Sequence, residues 1–213
     1  MKINKLGVAI LKTIKSLSII LFIGFSTLPI EPLAESSKPE IVVKEFQKLL
    51  ISAMKSSKTK TVKERYNTLY SGIDKAFHFP LMTRIVIGNH WIKANRTEKQ
   101  NIKEAFLNMS ASTLATLFSG YDGEHFEFLN TRDGPSNTKL VITNLVKSDN
   151  SKIKIIYVTH DFDGGWRIID VIVDSGISEL KVRQSEYQST LKKFGISGLV
   201  RELKARTNSL LSK

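Results

Sequence analysis

The sequence Trp166-Arg-Ile-Ile-Asp-Val-Ile-Val-Asp174 is rich in β-branched and aromatic residues, and this composition predicts a β-strand. A similar run, Lys152–His160, precedes it, and the Gly-rich turn Asp161–Gly165 joins the two. Two strands joined by so short a loop predict a β-hairpin. Alternation would place Trp166, Ile168, Asp170, Ile172 and Asp174 on one face, and Arg167, Ile169, Val171 and Val173 on the other. Both faces are mostly apolar, which favours a central strand covered on both sides.

Two further strands are predicted upstream, at Glu124–Thr131 and Lys139–Lys147. Turn sequences rich in Asp, Asn, Gly, Pro and Ser separate the four candidate strands. Because the links are short, successive strands are expected to pair as neighbours in an antiparallel meander.

Apolar stripes with helical periodicity flank this strand region on both sides. Upstream they predict helices over Pro39–Ser57, from a capping box at Thr61, over Leu81–Ile87, and from Asn95 to about Ser119. Downstream, a stripe from Ile177 to Phe194 predicts a helix that Gly195 ends, followed by a final helix. The predicted fold class is α+β, with helices packed over a curved four-stranded antiparallel sheet, an NTF2-like cone with additional helices.

The N-terminus has the pattern of a secretory signal peptide. Four lysines between Lys2 and Lys15 precede the short apolar run Leu17–Leu28, and Ala34 is an acceptable residue before a cleavage site. We therefore predict a signal peptide over residues 1–34 and a single domain over residues 35–213. An uncleaved membrane anchor is the alternative, although the apolar run is short for a transmembrane helix.

The formal net charge is +12, so the chain is basic. A basic exported protein is expected to meet acidic membrane surfaces or acidic partner proteins, or simply to remain soluble. Nucleic acid is the least expected partner, because the sequence lacks the aromatic and basic interleaving of an RNA-binding module.

The sequence contains no recognisable catalytic or metal-binding motif. It has no Cys, no Gly-x-Ser-x-Gly elbow and no phosphate-binding glycine loop, and its four histidines are scattered. The Asp161-x-Asp-Gly turn resembles the start of a calcium loop but lacks the later ligands, since Gly165 and Ile172 occupy those positions. We therefore predict neither a catalytic residue, nor a metal ion, nor a cofactor.

Asp170 is the one acidic residue among the apolar side chains in the middle of the predicted strand. A buried carboxylate must be paired, hydrogen-bonded or protonated. One interpretation is a general base with a raised pKa, as in ketosteroid-isomerase-like enzymes. The favoured interpretation is an ion pair with Arg84 or Arg183 on a covering helix.

Several segments together resemble the MlaC/toluene-tolerance family. Phe77–Arg84 and Gly88–Trp91 resemble its F-D-F-x-x-M-x-R and x-G-x-x-W stretches, and Gly165–Ser178 resembles its G-W-x-(V/I)-x-D-V signature. Arg183–Tyr187 and Gly195–Leu199 resemble its closing segments. The resemblance runs in one order from about residue 39 to residue 205.

Three departures from the family pattern are modest. His78 stands where Asp is usual, Ser175 is inserted before Gly176, and Tyr187 replaces Phe. The family is not regarded as enzymatic, so none of the three removes a catalytic group.

The resemblance implies a periplasmic phospholipid-binding carrier, with bound phospholipid as its cargo. Its implied partners are an inner-membrane ABC transporter complex with a membrane-anchored substrate-binding subunit, and an outer-membrane lipoprotein–porin complex. The implied role is maintenance of outer-membrane lipid asymmetry, with the protein acting as a monomer. A hopanoid or other lipid carrier of the HpnM type is the nearest alternative, and a ketosteroid-isomerase-like enzyme using Asp170 is a more distant one.

A carrier of this kind needs an apolar cleft between helices and sheet. The predicted lining from the helices is Tyr66, Leu69, Tyr70, Met82, Ile85, Trp91, Phe106, Met109 and Leu117. The predicted lining from the strands is Phe126, Phe128, Ile142, Ile155, Tyr157, Trp166 and Ile168. For each of these residues, ordinary core packing is the alternative interpretation.

Overall fold

The computed structural model describes residues 38–174 and 176–212. The predicted signal peptide, residues 1–34, lies outside them. Within the described residues, no helix combines the length and the apolar character that a membrane crossing requires.

Five helices precede the sheet and one long helix follows it. The helices are α1 Pro39–Lys55, α2 Val62–Ala76, α3 Phe79–Ile87, α4 His90–Lys93, α5 Arg96–Leu117 and α6 Glu179–Leu211. The strands are β1 His125–Asp133, β2 Thr138–Val146, β3 Lys152–Phe162, β4 Gly165–Val173 and β5 Ile177–Ser178. The α+β prediction is confirmed, with one strand more than the four expected.

Local sequence signals set the helix boundaries. The side chains of Thr61 and Asn95 each accept a hydrogen bond from the backbone N–H three residues later. In return, the carboxylates of Glu64 and Glu98 accept hydrogen bonds from the backbone N–H groups of Thr61 and Asn95. These two capping boxes start α2 and α5 where the sequence predicted them. In α6, Gly195 has φ +63°, so the helix is kinked at the glycine that was expected to end it.

The sheet is an antiparallel meander in the order β1-β2-β3-β4-β5. On β3, Ile155, Tyr157 and Thr159 are buried beneath the helices, whereas Ile156 and Val158 on the opposite face are half-buried. The helices therefore cover one face of the sheet, and the prediction that β4 is covered on both sides is wrong.

The expected face assignment along β4 is also wrong, because β4 contains a β-bulge. Thr159 pairs with Ile168 whereas Val158 pairs with Asp170, so Ile169 is an extra residue. Directly paired residues of antiparallel strands share a face. Tyr157 pairs with Val171 and Ile155 with Val173, so Ile168, Val171 and Val173 all point toward the helices. No alternation rule read from the sequence could anticipate this shift.

Beneath the helices lies one continuous apolar core. Leu69 on α2, Ile102 on α5 and Leu199 and Leu203 on α6 are each at most 1% exposed. α5 packs against both α2 and α6, and α3 packs against α5 and α6. The core fixes the helices over the sheet but does not fill all the space between the two layers.

Candidate functional site

A cavity of about 470 Å³ lies between the helices and the covered face of the sheet. This volume falls within the range of roughly 300–1,000 Å³ that ligand pockets occupy. The helices contribute the apolar side chains Phe46, Leu50, Ile73, Phe79, Met82, Phe106, Met109, Leu114, Leu117, Leu180 and Tyr187. The remaining apolar lining comes from Phe77, Phe118, Leu145, Ile153, Ile155, Tyr157, Val171 and Val173.

Six aromatic side chains form a continuous wall in the buried part of the cavity. In order of contact they are Tyr157, Phe46, Phe77, Phe79, Phe106 and Tyr187. The shortest contact, between Phe46 and Phe77, has ring centroids 4.8 Å apart at an interplanar angle of 88°. Edge-to-face packing of this kind is favourable beyond the area it buries, so these contacts stabilise the wall.

The two lining tyrosines remain neutral over the physiological pH range. Burial raises the pKa of Tyr157 well above its ordinary value of 10. Burial likewise raises the pKa of Tyr187, to about 12. Because neutral phenols carry no net charge, the aromatic wall presents an uncharged, mainly apolar surface to a ligand.

The serine and threonine hydroxyl groups in the lining are already hydrogen-bonded within α5. Ser110 Oγ donates to the carbonyl of Phe106 at 2.9 Å, and Thr113 Oγ1 donates to that of Met109 at 2.8 Å. Neither hydroxyl therefore needs a partner in the cavity. The charged lining residues are Asp170, Glu179 and Arg183.

Asp170 braces α6, although not through an arginine. Its Oδ1 accepts hydrogen bonds from the N–H groups of Val171 at 2.8 Å and Leu180 at 3.1 Å, and its Oδ2 accepts from Ser178 Oγ at 2.6 Å. Leu180 lies in the first turn of α6, where backbone N–H groups lack helical partners. Among the described residues, neither Arg84 nor Arg183 pairs with Asp170, so hydrogen bonds replace the expected ion pair.

Six of the sixteen predicted lining residues lie at the cavity. They are Met82, Phe106, Met109, Leu117, Ile155 and Tyr157. Sequence patterns missed Phe46, Phe77, Phe79 and Tyr187. Three of these, Phe77, Phe79 and Tyr187, belong to segments that carried the family resemblance, and those segments were the available signal for them.

The other ten predicted lining residues lie elsewhere. Leu69 and Ile168 are fully buried in the core, and Ile142 is buried on the opposite face of the sheet. Phe126 and Trp91 are half-buried, and the Lys99 ammonium lies 5.3 Å from the Trp91 ring centroid.

Of the remaining five, Tyr66 is buried in the core, and the other four are half-buried or exposed. The hydroxyl of Tyr66 donates to Asn108, and that of Tyr70 donates to Glu104 at 3.2 Å. Phe128 and Ile85 are exposed, and Trp166 is half-buried on β4.

His78 caps α3, the helix that carries Phe79 and Met82 into the cavity wall. Its Nδ1 accepts a hydrogen bond from the N–H of Leu81 at 3.1 Å, and its ring stacks on Phe162 with centroids 3.9 Å apart. Only the neutral imidazole can accept this bond. Burial lowers the pKa of His78 below 6.5, and the charges of Arg167 and His160 act in the same direction.

Acid is therefore expected to destabilise the protein through His78. Because the folded-state pKa is lowered, the unfolded chain binds the proton more readily, and the stabilisation is present above pH 6.5 and lost as pH falls below it. Loss of an N-cap costs about 1 kcal/mol. Urea unfolding at several pH values should show a steeper acid loss in wild type than in His78→Asn, whose amide oxygen caps without titrating. Parallel curves would contradict this assignment.

A cluster of metal ligands is not evident at the cavity. Within residues 38–174 and 176–212, no group of three or more His, Cys, Asp or Glu side chains is placed to hold a metal ion. The fold and the site together define an α+β protein with an apolar, ligand-sized cavity between helices and sheet.

Residues 44–205 match the family model described as MlaC protein, and this match covers well over half of the chain. The chain belongs to the MlaC family. The family resemblance seen in its sequence motifs is thereby confirmed.

The fold is similar to a solved structure from Ralstonia solanacearum, a phospholipid-binding protein in complex with a phospholipid. The TM-score is 0.68, and the match covers 80% of this chain and 95% of that one. Sequence identity is 17%, so the likeness concerns the fold. No curated protein sequence matches this chain significantly.

Proposed function

We propose that this chain is a periplasmic phospholipid-binding carrier and that acyl chains occupy the cavity between its helices and sheet. The observation that carries the proposal is the 470 Å³ cavity with its continuous aromatic wall. Membership of the MlaC family and the phospholipid complex of the structural relative support it.

Physical chemistry explains why such a carrier is needed. The two acyl chains of a phospholipid hold roughly 30 methylenes, and each costs about 0.8 kcal/mol to expose to water. Free diffusion of a single lipid through an aqueous compartment is therefore negligible. A protein that encloses the chains in an apolar cavity removes most of this cost. The headgroup needs no enclosure, because it is stable in water.

The contacts proposed for the acyl chains are the six lining residues predicted from the sequence and four that the fold adds. The four additions are Phe46, Phe77, Phe79 and Tyr187. Because these side chains are apolar or neutral, they would bind chains of different length and unsaturation without strong discrimination.

The route of transport rests on the family. We propose that the carrier exchanges lipid with an inner-membrane ABC transporter complex and an outer-membrane lipoprotein–porin complex, and so maintains outer-membrane lipid asymmetry. The signal-peptide pattern of residues 1–34 supports export to the periplasm. A hopanoid is the alternative cargo, since an apolar cavity would also accept a fused-ring lipid.

A binding role is favoured over catalysis by the state of Asp170. Both of its oxygens accept hydrogen bonds from the start of α6 and its neighbours. A carboxylate used in this way has a structural role that accounts for its presence in the strand.

The proposal predicts that phospholipid co-purifies with the exported protein in stoichiometric amount. Thr113 and Thr116 on α5 provide a matched pair of variants, since each hydroxyl bonds a carbonyl one turn back but only Thr113 lines the cavity. Thr113→Trp should lose most of the bound lipid because the indole occupies the cavity. Thr116→Trp should retain it. Mass spectrometry of organic extracts measures both.

The same extracts distinguish the two cargoes. Stoichiometric hopanoid in place of phospholipid would change the cargo assignment. Wild-type protein without either lipid, or equal loss of lipid in both tryptophan variants, would contradict the proposal. Circular dichroism should show native helix content in both variants.

A further inference from the structure

One face of α6 leads from solvent into the cavity. Glu179, Arg183 and Tyr187 are spaced one helical turn apart, so they lie on one face of the helix, and all three line the cavity. The side chains of Glu179 and Arg183 are 47% and 30% exposed, whereas Tyr187 is 2% exposed. Arg183 therefore lies at the boundary between the open end of the cavity and its aromatic wall.

Arg183 is the one cation among the described lining residues. Its Nη1 donates to Glu186 Oε2 at 2.8 Å, which fixes the orientation of the guanidinium. Its Nη2 lies 3.6 Å from Glu179 Oε2, beyond normal hydrogen-bond length. Among the described residues, no hydrogen bond is formed by Nε of Arg183. The edge formed by Nε and Nη2 is thus held only by a loose ion pair.

This edge has the geometry that binds phosphate oxygens. Two parallel N–H groups of a guanidinium match two oxygens of a phosphate group, and such bidentate pairs are stronger than neutral hydrogen bonds. The Glu179 contact is a partly exposed ion pair, which contributes little and is readily exchanged. Asp170 is the third charged lining residue. Its oxygens already accept hydrogen bonds from Ser178 and Leu180 at the start of α6, and a carboxylate has no donor for a phosphate oxygen.

We propose that Arg183 is the phosphate-binding residue of the headgroup subsite, and that the phosphodiester of a bound glycerophospholipid displaces Glu179 from it. The inference rests on the proposed function and adds the position and chemistry of the headgroup. Acyl chains extend from Arg183 past Tyr187 into the aromatic wall, and the rest of the headgroup remains in solvent beside Glu179.

The test compares two lipids that share the same acyl chains, phosphatidylglycerol and diacylglycerol. Delipidated protein is loaded from an equal mixture, and the bound ratio is measured by native mass spectrometry. Wild type should prefer phosphatidylglycerol. Arg183→Gln should reduce that preference about tenfold or more, because charge-assisted hydrogen bonds are lost. Glu179→Gln should increase it, because the competing carboxylate is gone.

Arg206→Gln is the control. Arg206 is also on α6 and pairs with Glu202 at 2.6 Å, but it does not line the cavity. Its lipid ratio should equal that of wild type. If the Arg183–Glu179 pair were merely structural, both of its variants would change the ratio in the same direction, and that result would overturn the proposal.

Two further outcomes separate the alternatives. Wild type that binds both lipids with a ratio unchanged in Arg183→Gln would overturn the subsite but leave the carrier function standing. Wild type that binds neither lipid would overturn both. Calorimetric titration with inorganic phosphate alone should show no binding, because the acyl chains supply most of the free energy. Measurable phosphate binding would assign the site to the free ion instead.

Discussion

Asp170→Ala should lower the free energy of unfolding by about 3 kcal/mol, since three hydrogen bonds to its side-chain oxygens are lost together. The N–H of Leu180, in the first turn of α6, and the hydroxyl of Ser178 would lose their acceptor. The short strand β5 and the start of α6 are both held to β4 through this carboxylate. Urea unfolding followed by circular dichroism measures the loss.

Asp161→Ala is the control for this prediction. Asp161 is an exposed carboxylate on the neighbouring strand β3, and its removal should change stability by no more than about 0.5 kcal/mol. Asp170→Asn should be intermediate, because its single carbonyl oxygen still accepts from backbone N–H groups. A fully stable Asp170→Ala protein would contradict the structural role and reopen the interpretation of Asp170 as a general base.

Arg65→Ala should also lower the free energy of unfolding by about 3 kcal/mol, but through a different mechanism. Arg65 is 4% exposed, and its Nε and Nη2 donate to the carbonyl of Ala115 at 3.2 and 3.0 Å while Nη1 donates to that of Lys60 at 2.7 Å. Ala115 lies in the last turn of α5, where carbonyls lack helical partners and the helix dipole attracts a cation. Arg65 therefore joins the link between α1 and α2 to the end of α5.

Arg65→Lys separates charge from geometry. The lysine ammonium keeps the charge but lacks the planar guanidinium that bonds the carbonyls of Ala115 and Lys60 together. An intermediate loss of stability is therefore expected. Arg201→Ala, at an exposed position on α6, should be close to neutral. Because Leu117 and Phe118 follow Ala115 at the cavity, Arg65→Ala should also weaken lipid retention. Wild-type stability in Arg65→Ala would refute the proposed link.

The elements that could be predicted are those with local causes. The two capping boxes depend on residues three apart, the strands on composition and turns, and the α6 kink on Gly195. The cavity lining was predicted less well, because apolar residues show the same periodicity in the sequence whether they line a cavity or pack in a filled core. Ile142 and Ile168 illustrate this, since both are buried but neither lines the cavity.

For the strand from Trp166 to Asp174, the sequence by itself determined a strand, a hairpin and a family motif. The tertiary structure alone decided which of its residues face the cavity, because the bulge at Ile169 depends on pairing with β3. It also decided that Asp170 holds the start of α6 and that Arg183 lies between solvent and the aromatic wall. Register, bulges and cavity walls arise from contacts between distant segments, and no local pattern encodes them.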